Sequence, residues 1–142
     1  MPAAGRFSGV ETLAVGDCFW LCGQQNSREH LYVIVNGPDG QGKMIAFNLS
    51  KLYPAREGHC QDMSCVVQPG AHPRVTIPSI VKYNWAIVLT EEELQDKVEW
   101  GLARRAERAT LALAKRILAG ALVTEALQRK FYRYVNRPLP PI

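Results

Sequence analysis

Four cysteines and two histidines near them could form a zinc site of the Cys/His type: Cys18, Cys22, Cys60, Cys65, His59 and His72. Structural zinc usually takes pairs of ligands from turns, with two to four residues between the two ligands. Cys18 and Cys22 instead lie in VGDCFWLCG, which is typical of a β-strand, where residues four apart are separated by about 13 Å. We therefore predict no metal site. We interpret Cys18, Trp20 and Cys22 as one face of a strand, and Cys18, Cys22 and Cys65 as largely buried free thiols.

A cysteine nucleophile is the other chemistry that these residues suggest, and it needs a base and an orienting group. Cys65 and His72 are close in sequence, but Pro69 and Gly70 lie between them and no third partner is evident. The chain also lacks a phosphate-binding glycine loop, a dinucleotide-binding fingerprint and a paired-carboxylate motif. We expect neither a thiol enzyme nor a bound cofactor.

The composition suits one small globular domain, or one domain with a helical appendage, because 47% of the 142 residues are hydrophobic and 21% are charged. No apolar run approaches the roughly 20 residues of a membrane-spanning helix, and no apolar segment follows Arg6 near the N-terminus. Four irregularly spaced cysteines do not suggest a disulfide framework. We therefore expect a soluble protein of the cytoplasm. Its formal net charge of +4 favours a polyanionic partner.

Short apolar alternations separated by turns occupy residues 13–89 and predict five β-strands. The strands are LAVGDCFWL, HLYVIVN, KMIAFNLS, SCVVQPG and SIVKYNWAIVL. HLYVIVN is apolar on both faces, which indicates a central strand, and the NGPDGQGK that follows is typical of a hairpin tip. Five short strands in fewer than about 80 residues favour a small antiparallel barrel. The predicted fold class is therefore mainly β with C-terminal helices (α+β).

Three helices are predicted after residue 89. TEEE carries a capping box, with Thr90 as N-cap and Glu93 reaching back, and this helix is expected to end near Trp100. Apolar residues at helical spacing predict a second helix at 104–119 and a third at 124–135. The basic residues of the second helix gather away from its apolar stripe: Arg104, Arg105, Arg108, Lys115 and Arg116. We predict that these five side chains bind nucleic-acid phosphates, and the alternative is a face that is only solvated.

The order of the strand motifs resembles that of a known family. VGDCFWL opens the first strand, YVIVNGP ends the second in Asn, IAFNLS ends the third in a hydroxyl residue, and SIVKYNWAIVL leads directly into LTEEELQDKVEWGL. Over residues 13–102 this series resembles the MazF/PemK family of toxin endoribonucleases. The resemblance implies an SH3-like barrel ending in a helix, a homodimer, and a protein antitoxin as partner. It also implies cleavage of single-stranded RNA without a metal ion.

The resemblance further implies where the RNA-cleaving residues lie. The family has a basic residue at the start of the second strand and a Thr or Ser at the end of the third, a position that Ser50 matches. The family's Arg-Pro lead is missing, and Arg28 and His30 flank the expected position. We predict that Arg28 stabilises the transition state, that His30 accepts the proton of the ribose 2′-hydroxyl, and that Ser50 holds the phosphate. The alternative is that Arg28 is a solvated turn residue and His30 merely begins a strand.

The remaining chain leaves the function open between two classes. FYRYVNR, near the C-terminus, interleaves aromatic and basic residues as single-strand binders do, although packing of Phe131 and Val135 explains it equally well. Because the Arg-Pro lead is missing, the second hypothesis is a non-catalytic SH3-like barrel that binds nucleic acid or a protein. The predicted division is a flexible N-terminus at 1–12, the barrel with its closing helix at 13–102, a helical extension at 103–136 and a proline-rich tail at 137–142.

Overall fold

The structure, a computed structural model, describes residues 13–22, 28–53 and 61–141. The strands are β1 (Cys18–Cys22), β2 (Glu29–Asn36), β3 (Met44–Lys51), β4 (Val66–Val67), β5 (Ser79–Leu89) and β6 (Ala103–Ala106), and the helices are α1 (Glu91–Glu99), α2 (Leu111–Ala121) and a 3-10 helix (Arg129–Tyr134). The strands pair in an antiparallel sheet with the order β4-β5-β3-β2-β1-β6. This mainly β architecture with helices confirms the predicted α+β class. The pairing described is that of an open sheet, with β4 and β6 at its two edges.

Both faces of the central strand β2 are buried, as its apolar composition predicted. Successive side chains of a strand point to opposite faces, so its two sets of residues belong to two different clusters. One cluster contains residues of α2 and the β2 side chains Leu31, Val33 and Val35. The other contains Leu94 of α1 and the β2 side chains Tyr32 and Ile34. The sheet is therefore covered by α2 on one face and by α1 on the other.

The change from strand to helix after β5 follows the predicted signals. Thr90 accepts a hydrogen bond from the backbone of Glu93 at 3.1 Å, and the Glu93 carboxylate accepts one from the backbone of Thr90 at 3.0 Å. These two bonds confirm the capping box, which satisfies two of the backbone donors that a helix start leaves without partners.

The predicted helix at 104–119 is wrong in its first part, because Ala103–Ala106 forms strand β6 along β1. Gly101 has a positive φ of 76° and turns the chain back after α1, and the Leu102 carbonyl then accepts a hydrogen bond from the Cys22 backbone at 3.1 Å. Helix propensities differ by less than about 0.7 kcal/mol per residue, so pairing with an open strand edge outweighs the helical preference of Ala and Arg. Helix α2 begins only at Leu111, after the N-cap Thr110.

The predicted third helix at 124–135 is also wrong, since only the 3-10 helix at Arg129–Tyr134 forms there. The Thr124 hydroxyl donates to Asp62 and accepts from the backbone of Ala126, which holds this part of the chain in a turn. The Arg137 guanidinium donates to the carbonyls of Ala121 and Thr124. Side chains thus satisfy the backbone groups that a continuous helix would have paired internally.

The Gly-Asp pair before β1 connects the sheet to the segment that follows β6. Gly16 has a φ of +97°, and a Cβ there would lie 3.0 Å from the carbonyl of Ala109. The Asp17 carboxylate, only 4% exposed, lies 2.9 Å from Arg108 and 3.2 Å from Arg105. Residues 103–136, predicted as a helical extension, therefore contribute an edge strand to the sheet and part of its core.

Two predictions concern residues outside the described ranges: the flexible N-terminus at 1–12, and the absence of a metal site at His59 and Cys60. Within the described ranges, no helix combines the length and the apolar composition that crossing a membrane requires.

Candidate functional site

The cysteines of the described ranges do not form a reactive centre with His72. Cys18 and Cys65 are buried free thiols as predicted, whereas Cys22 is a free thiol that is only partly buried. Burial raises the pKa of Cys18 to about 12 and also raises the pKa of Cys65. His72 is buried, and both of its ring nitrogens bind backbone groups: Nε2 to the Glu107 carbonyl at 2.6 Å and Nδ1 to the Arg74 amide at 3.0 Å. His72 therefore anchors the loop before β5 and has no lone pair left for activating a thiol. In the described part of the chain, no three His, Cys, Asp or Glu residues form a group that could hold a metal ion.

A cleft of about 440 Å³ lies at the end of the sheet where β2 begins and β3 ends. Its lining contains the three residues predicted for RNA cleavage, Arg28, His30 and Ser50. Leu31 of β2 pairs with Leu49 of β3, so the next residues outward, His30 and Ser50, lie opposite each other. The predicted antiparallel pairing of these two strands is therefore confirmed, and it brings the candidate base beside the candidate hydroxyl.

Strand β5 adds two residues to this group that the sequence did not identify, Lys82 and Trp85. The Trp85 ring packs edge to face with His30, with 5.7 Å between the ring centroids. The Lys82 ammonium lies 5.5 Å from the Trp85 centroid. The only sequence signal was the predicted strand SIVKYNWAIVL, which contains both residues but does not show which strand lies beside it.

The surroundings of His30 favour its neutral form. Burial lowers the pKa of His30 from its ordinary value of 6.5, and the positive charges of Arg28 and Lys82 lower the pKa further. Its Nε2 atom is buried and has no hydrogen-bond partner among the described residues. A neutral imidazole with an available nitrogen can accept a proton from a hydroxyl group near pH 7.

Ser50 is held from the interior by Asn48, two residues before it on β3. The Ser50 hydroxyl donates a hydrogen bond of 2.6 Å to Oδ1 of Asn48. Asn48 is fully buried, and its Nδ2 atom has no partner among the described residues. In register, Asn48 lies between Tyr32 of β2 and Lys82 of β5. The hydroxyl at the cleft is thus oriented by an amide beneath it.

Basic and aromatic side chains line much of the cleft, together with Leu31, Leu49, Val75 and Ser79. The basic ones are Arg28, Lys51, Arg74 and Lys82, the large aromatic ones are Trp20, Tyr53 and Trp85, and one carboxylate, Glu29, is present. Arg104 neutralises Glu29 with two hydrogen bonds of 2.9 and 3.0 Å, and its guanidinium lies 5.1 Å from the Trp20 ring centroid. Such a surface suits a ligand with negative charges and flat rings.

The five basic residues predicted on a single helix face do not share one, because Arg104 and Arg105 belong to β6. Arg104 reaches the edge of the cleft through Glu29 and Trp20, whereas Arg105 and Arg108 form ion pairs with Asp17. Lys115 and Arg116 are exposed on α2, where Arg116 donates to the Val66 carbonyl at 2.6 Å.

Comparison of the chain with protein-family models, with curated proteins and with solved structures gives no match. The residues of the cleft are therefore the basis for assigning a function.

Proposed function

We propose that this protein is an endoribonuclease that binds single-stranded RNA in the cleft and cleaves it without a metal ion. The observation that carries the proposal is the convergence of His30, Arg28 and Ser50 at one end of the sheet, in the cleft that Lys82 and Trp85 also line. A neutral base, positive charge and a hydroxyl are the groups that cleavage of RNA by its own 2′-hydroxyl requires.

In the proposed reaction, the ribose 2′-oxygen attacks the adjacent phosphorus while Nε2 of His30 takes its proton. Arg28 and Lys82 stabilise the additional negative charge of the phosphorane-like transition state. The bond between phosphorus and the 5′-oxygen then breaks, and that oxygen takes a proton from water. The products are a 2′,3′-cyclic phosphate and a 5′-hydroxyl. Around His30 the cleft presents positive charge, which opposes cation binding and supports a mechanism carried by side chains.

The lining also supports single-stranded RNA as the ligand. Basic side chains contact phosphates without regard to sequence, and unpaired bases stack on aromatic rings such as those of Trp85 and Tyr53. A double helix hides its base faces within the stack, so these rings favour a single strand.

The wider biological role rests on the resemblance to the MazF/PemK family. We further propose that the sheet has an SH3-like arrangement and that the protein forms a homodimer. In this proposal the protein is a growth-inhibiting toxin of the cytoplasm, and a protein antitoxin neutralises it. The motif order over residues 13–102 supports this part.

A second candidate function is binding of RNA without cleavage. Two observations favour it: the Arg-Pro lead of the family is absent, and the Ser50 hydroxyl is engaged with Asn48. The same cleft would then be a binding module on the same fold.

One experiment separates the two functions. Purified protein is incubated with a long single-stranded RNA in the presence of EDTA, and the ends of the products are analysed. The proposal predicts fragments with 2′,3′-cyclic phosphate ends from wild type and none from the His30→Ala variant. Intact RNA that still binds to the wild-type protein would instead establish the non-catalytic module.

A further inference from the structure

Two rows of side chains border the cleft from opposite faces of the sheet. Directly opposite residues of antiparallel strands share a face, and successive residues of one strand alternate between the two faces. The first row runs across three strands and consists of Trp20, Leu31 and Leu49. The next row outward contains His30 and Ser50 and projects from the other face. Both rows line the cleft, so the cleft wraps around the end of the sheet.

The loop before β5 forms the other wall beside the first row. Its buried Val75 lines the cleft and belongs to the same hydrophobic cluster as the two leucines. The loop is fixed in place, because Nε2 of His72 lies 2.6 Å from the Glu107 carbonyl and the Arg74 guanidinium lies 2.9 Å from the Glu107 carboxylate. The apolar side of the cleft therefore consists of Trp20, Leu31, Leu49 and Val75.

Positive charge is concentrated on the His30 side of the cleft. There Arg28 and Lys82 lie close enough for their charges to act on the imidazole. On the apolar side, the charge of Arg74 is neutralised by its ion pair with Glu107. A phosphate is therefore drawn to the His30 side, and the apolar side suits an uncharged group.

A nucleotide of single-stranded RNA has the same division into a charged and an uncharged part. Its phosphate is ionised, whereas its nucleobase is flat and has faces of low polarity. Such a face is removed from water favourably when it packs against apolar and aromatic side chains, and a single strand leaves these faces accessible. At the rim, one row beyond Ser50, the exposed Lys51 can contact the next phosphate along the strand. One nucleotide can thus place its two parts on the two sides of the cleft.

We propose that the apolar side of the cleft binds one unstacked nucleobase of the RNA while the phosphate on the 3′ side of that nucleotide lies at His30. This inference rests on the proposed RNA-binding function of the cleft. Because the nucleobase and the phosphate are held on opposite faces, the ribose between them crosses the end of the strands beside the imidazole. Binding of the nucleobase thus positions the 2′-hydroxyl for the reaction.

The test measures how much the nucleobases contribute to binding. One ligand is a single-stranded RNA tetranucleotide with 2′-fluoro sugars, and the other has the same backbone with abasic residues at all four positions. The two carry the same phosphate charges, and neither has the 2′-hydroxyl that the proposed cleavage requires. Wild type should bind the tetranucleotide at least about tenfold more tightly, because packing of a single nucleobase contributes about that much.

Val75→Phe should reduce this ratio of dissociation constants by about tenfold, because the larger side chain occupies the apolar side of the cleft. The affinity for the abasic ligand should stay within about twofold. Val75→Met is the second variant, in case the ring strains the loop, and thermal unfolding confirms that the variants are folded. The matched controls, Val98→Phe and Val98→Met, change a partly buried valine of α1 that does not line the cleft and should keep the ratio.

A second measurement uses the wild-type protein alone. A tetranucleotide that carries a photoreactive thiouracil is irradiated in the complex, and the crosslinked residues are identified by mass spectrometry. The inference predicts crosslinks at Trp20 or in the loop that contains Val75. Crosslinks confined to Trp85 and Tyr53 would contradict it.

The outcomes distinguish the inference from the proposed function. A folded Val75 variant that keeps the wild-type ratio would overturn the inference, as would a variant that weakens the binding of both ligands equally. Wild type that binds both ligands with equal affinity would also overturn the inference but leave phosphate binding in place. Wild type that binds neither ligand would overturn both the inference and the proposed RNA binding.

Discussion

His30 and Trp85 pack edge to face, with their ring centroids 5.7 Å apart and their planes at 77°. The contact joins β2 to β5 and places an indole against the imidazole that we propose as the base. Its consequence is that His30 stays partly desolvated beside two positive charges, Arg28 and Lys82. The resulting preference for the neutral imidazole leads to the first prediction.

The pH dependence of cleavage should report the lowered pKa of His30. Because burial, Arg28 and Lys82 place this pKa below 6.5, His30 is neutral at pH 7, and activity should fall only as the pH drops below 6.5. Because the pKa of His30 is lower in the folded than in the unfolded protein, the free energy of unfolding has its full value above pH 6.5. It decreases as the pH falls towards the folded-state pKa of His30.

Lys82→Gln removes one of the repelling charges and should move the acidic limb of the kcat/KM profile towards higher pH. Lys115→Gln makes the same charge change on α2 and should leave the limb in place. An unmoved limb in Lys82→Gln would show that Lys82 does not act on the base.

Alanine variants should rank the three residues predicted for cleavage. His30→Ala and Arg28→Ala should each lower kcat/KM by about 10²-fold or more, which is typical of an acid–base or charge-stabilising group. Ser50→Ala should cost less, because it removes a single hydrogen bond. Asn84→Ala provides a control on β5. A Ser50 variant more damaging than the His30 variant would contradict the assigned roles.

The salt dependence of RNA binding should separate Arg104 from the basic residues of α2. Arg104 lies against Trp20 at the edge of the cleft, so Arg104→Gln should weaken binding and reduce the slope of log K against log [salt] by about 1 if it contacts one phosphate. Lys115→Gln removes the same charge from α2 and should change the slope little. Binding titrations from low to moderate salt measure both slopes. A larger change of slope in Lys115→Gln than in Arg104→Gln would show that the RNA contacts α2 rather than the edge of the cleft.

Asp17 should matter for stability rather than for activity. Its buried carboxylate accepts from the Ala14 backbone and pairs with Arg105 and Arg108. Asp17→Asn should lower the free energy of unfolding by about 1–3 kcal/mol, a range below that of fully buried pairs because both arginines are partly exposed. Urea unfolding measures the loss, with Glu125→Gln as an exposed control. A variant as stable as wild type would mean that these ion pairs do not hold β1 to β6.

The sequence predicted the parts of the fold that depend on local patterns. The bounds of β5 and the Thr90 capping box followed from alternation and from cap residues, and the turn after Asn36 implied the pairing of β2 with β3. Strand β6 was missed because ARRA suits a helix as well as a strand, and its pairing with β1 is a long-range contact. Asn48 and Lys82 were missed for a similar reason: the register of β3 against β5 includes an irregularity between Ala46 and Asn48 that no local pattern reveals.

Cleavage of a substrate altered at one sugar tests the central claim most directly. The position that the protein cuts is first mapped on a long single-stranded RNA, and the same RNA is then prepared with a 2′-deoxy sugar at the nucleotide whose 2′-oxygen would attack. Internal attack predicts that wild type no longer cuts at that position while it still binds the RNA, and that His30→Ala cuts neither substrate. Cleavage of the deoxy position by wild type would contradict the mechanism, because no 2′-hydroxyl would then be available to His30.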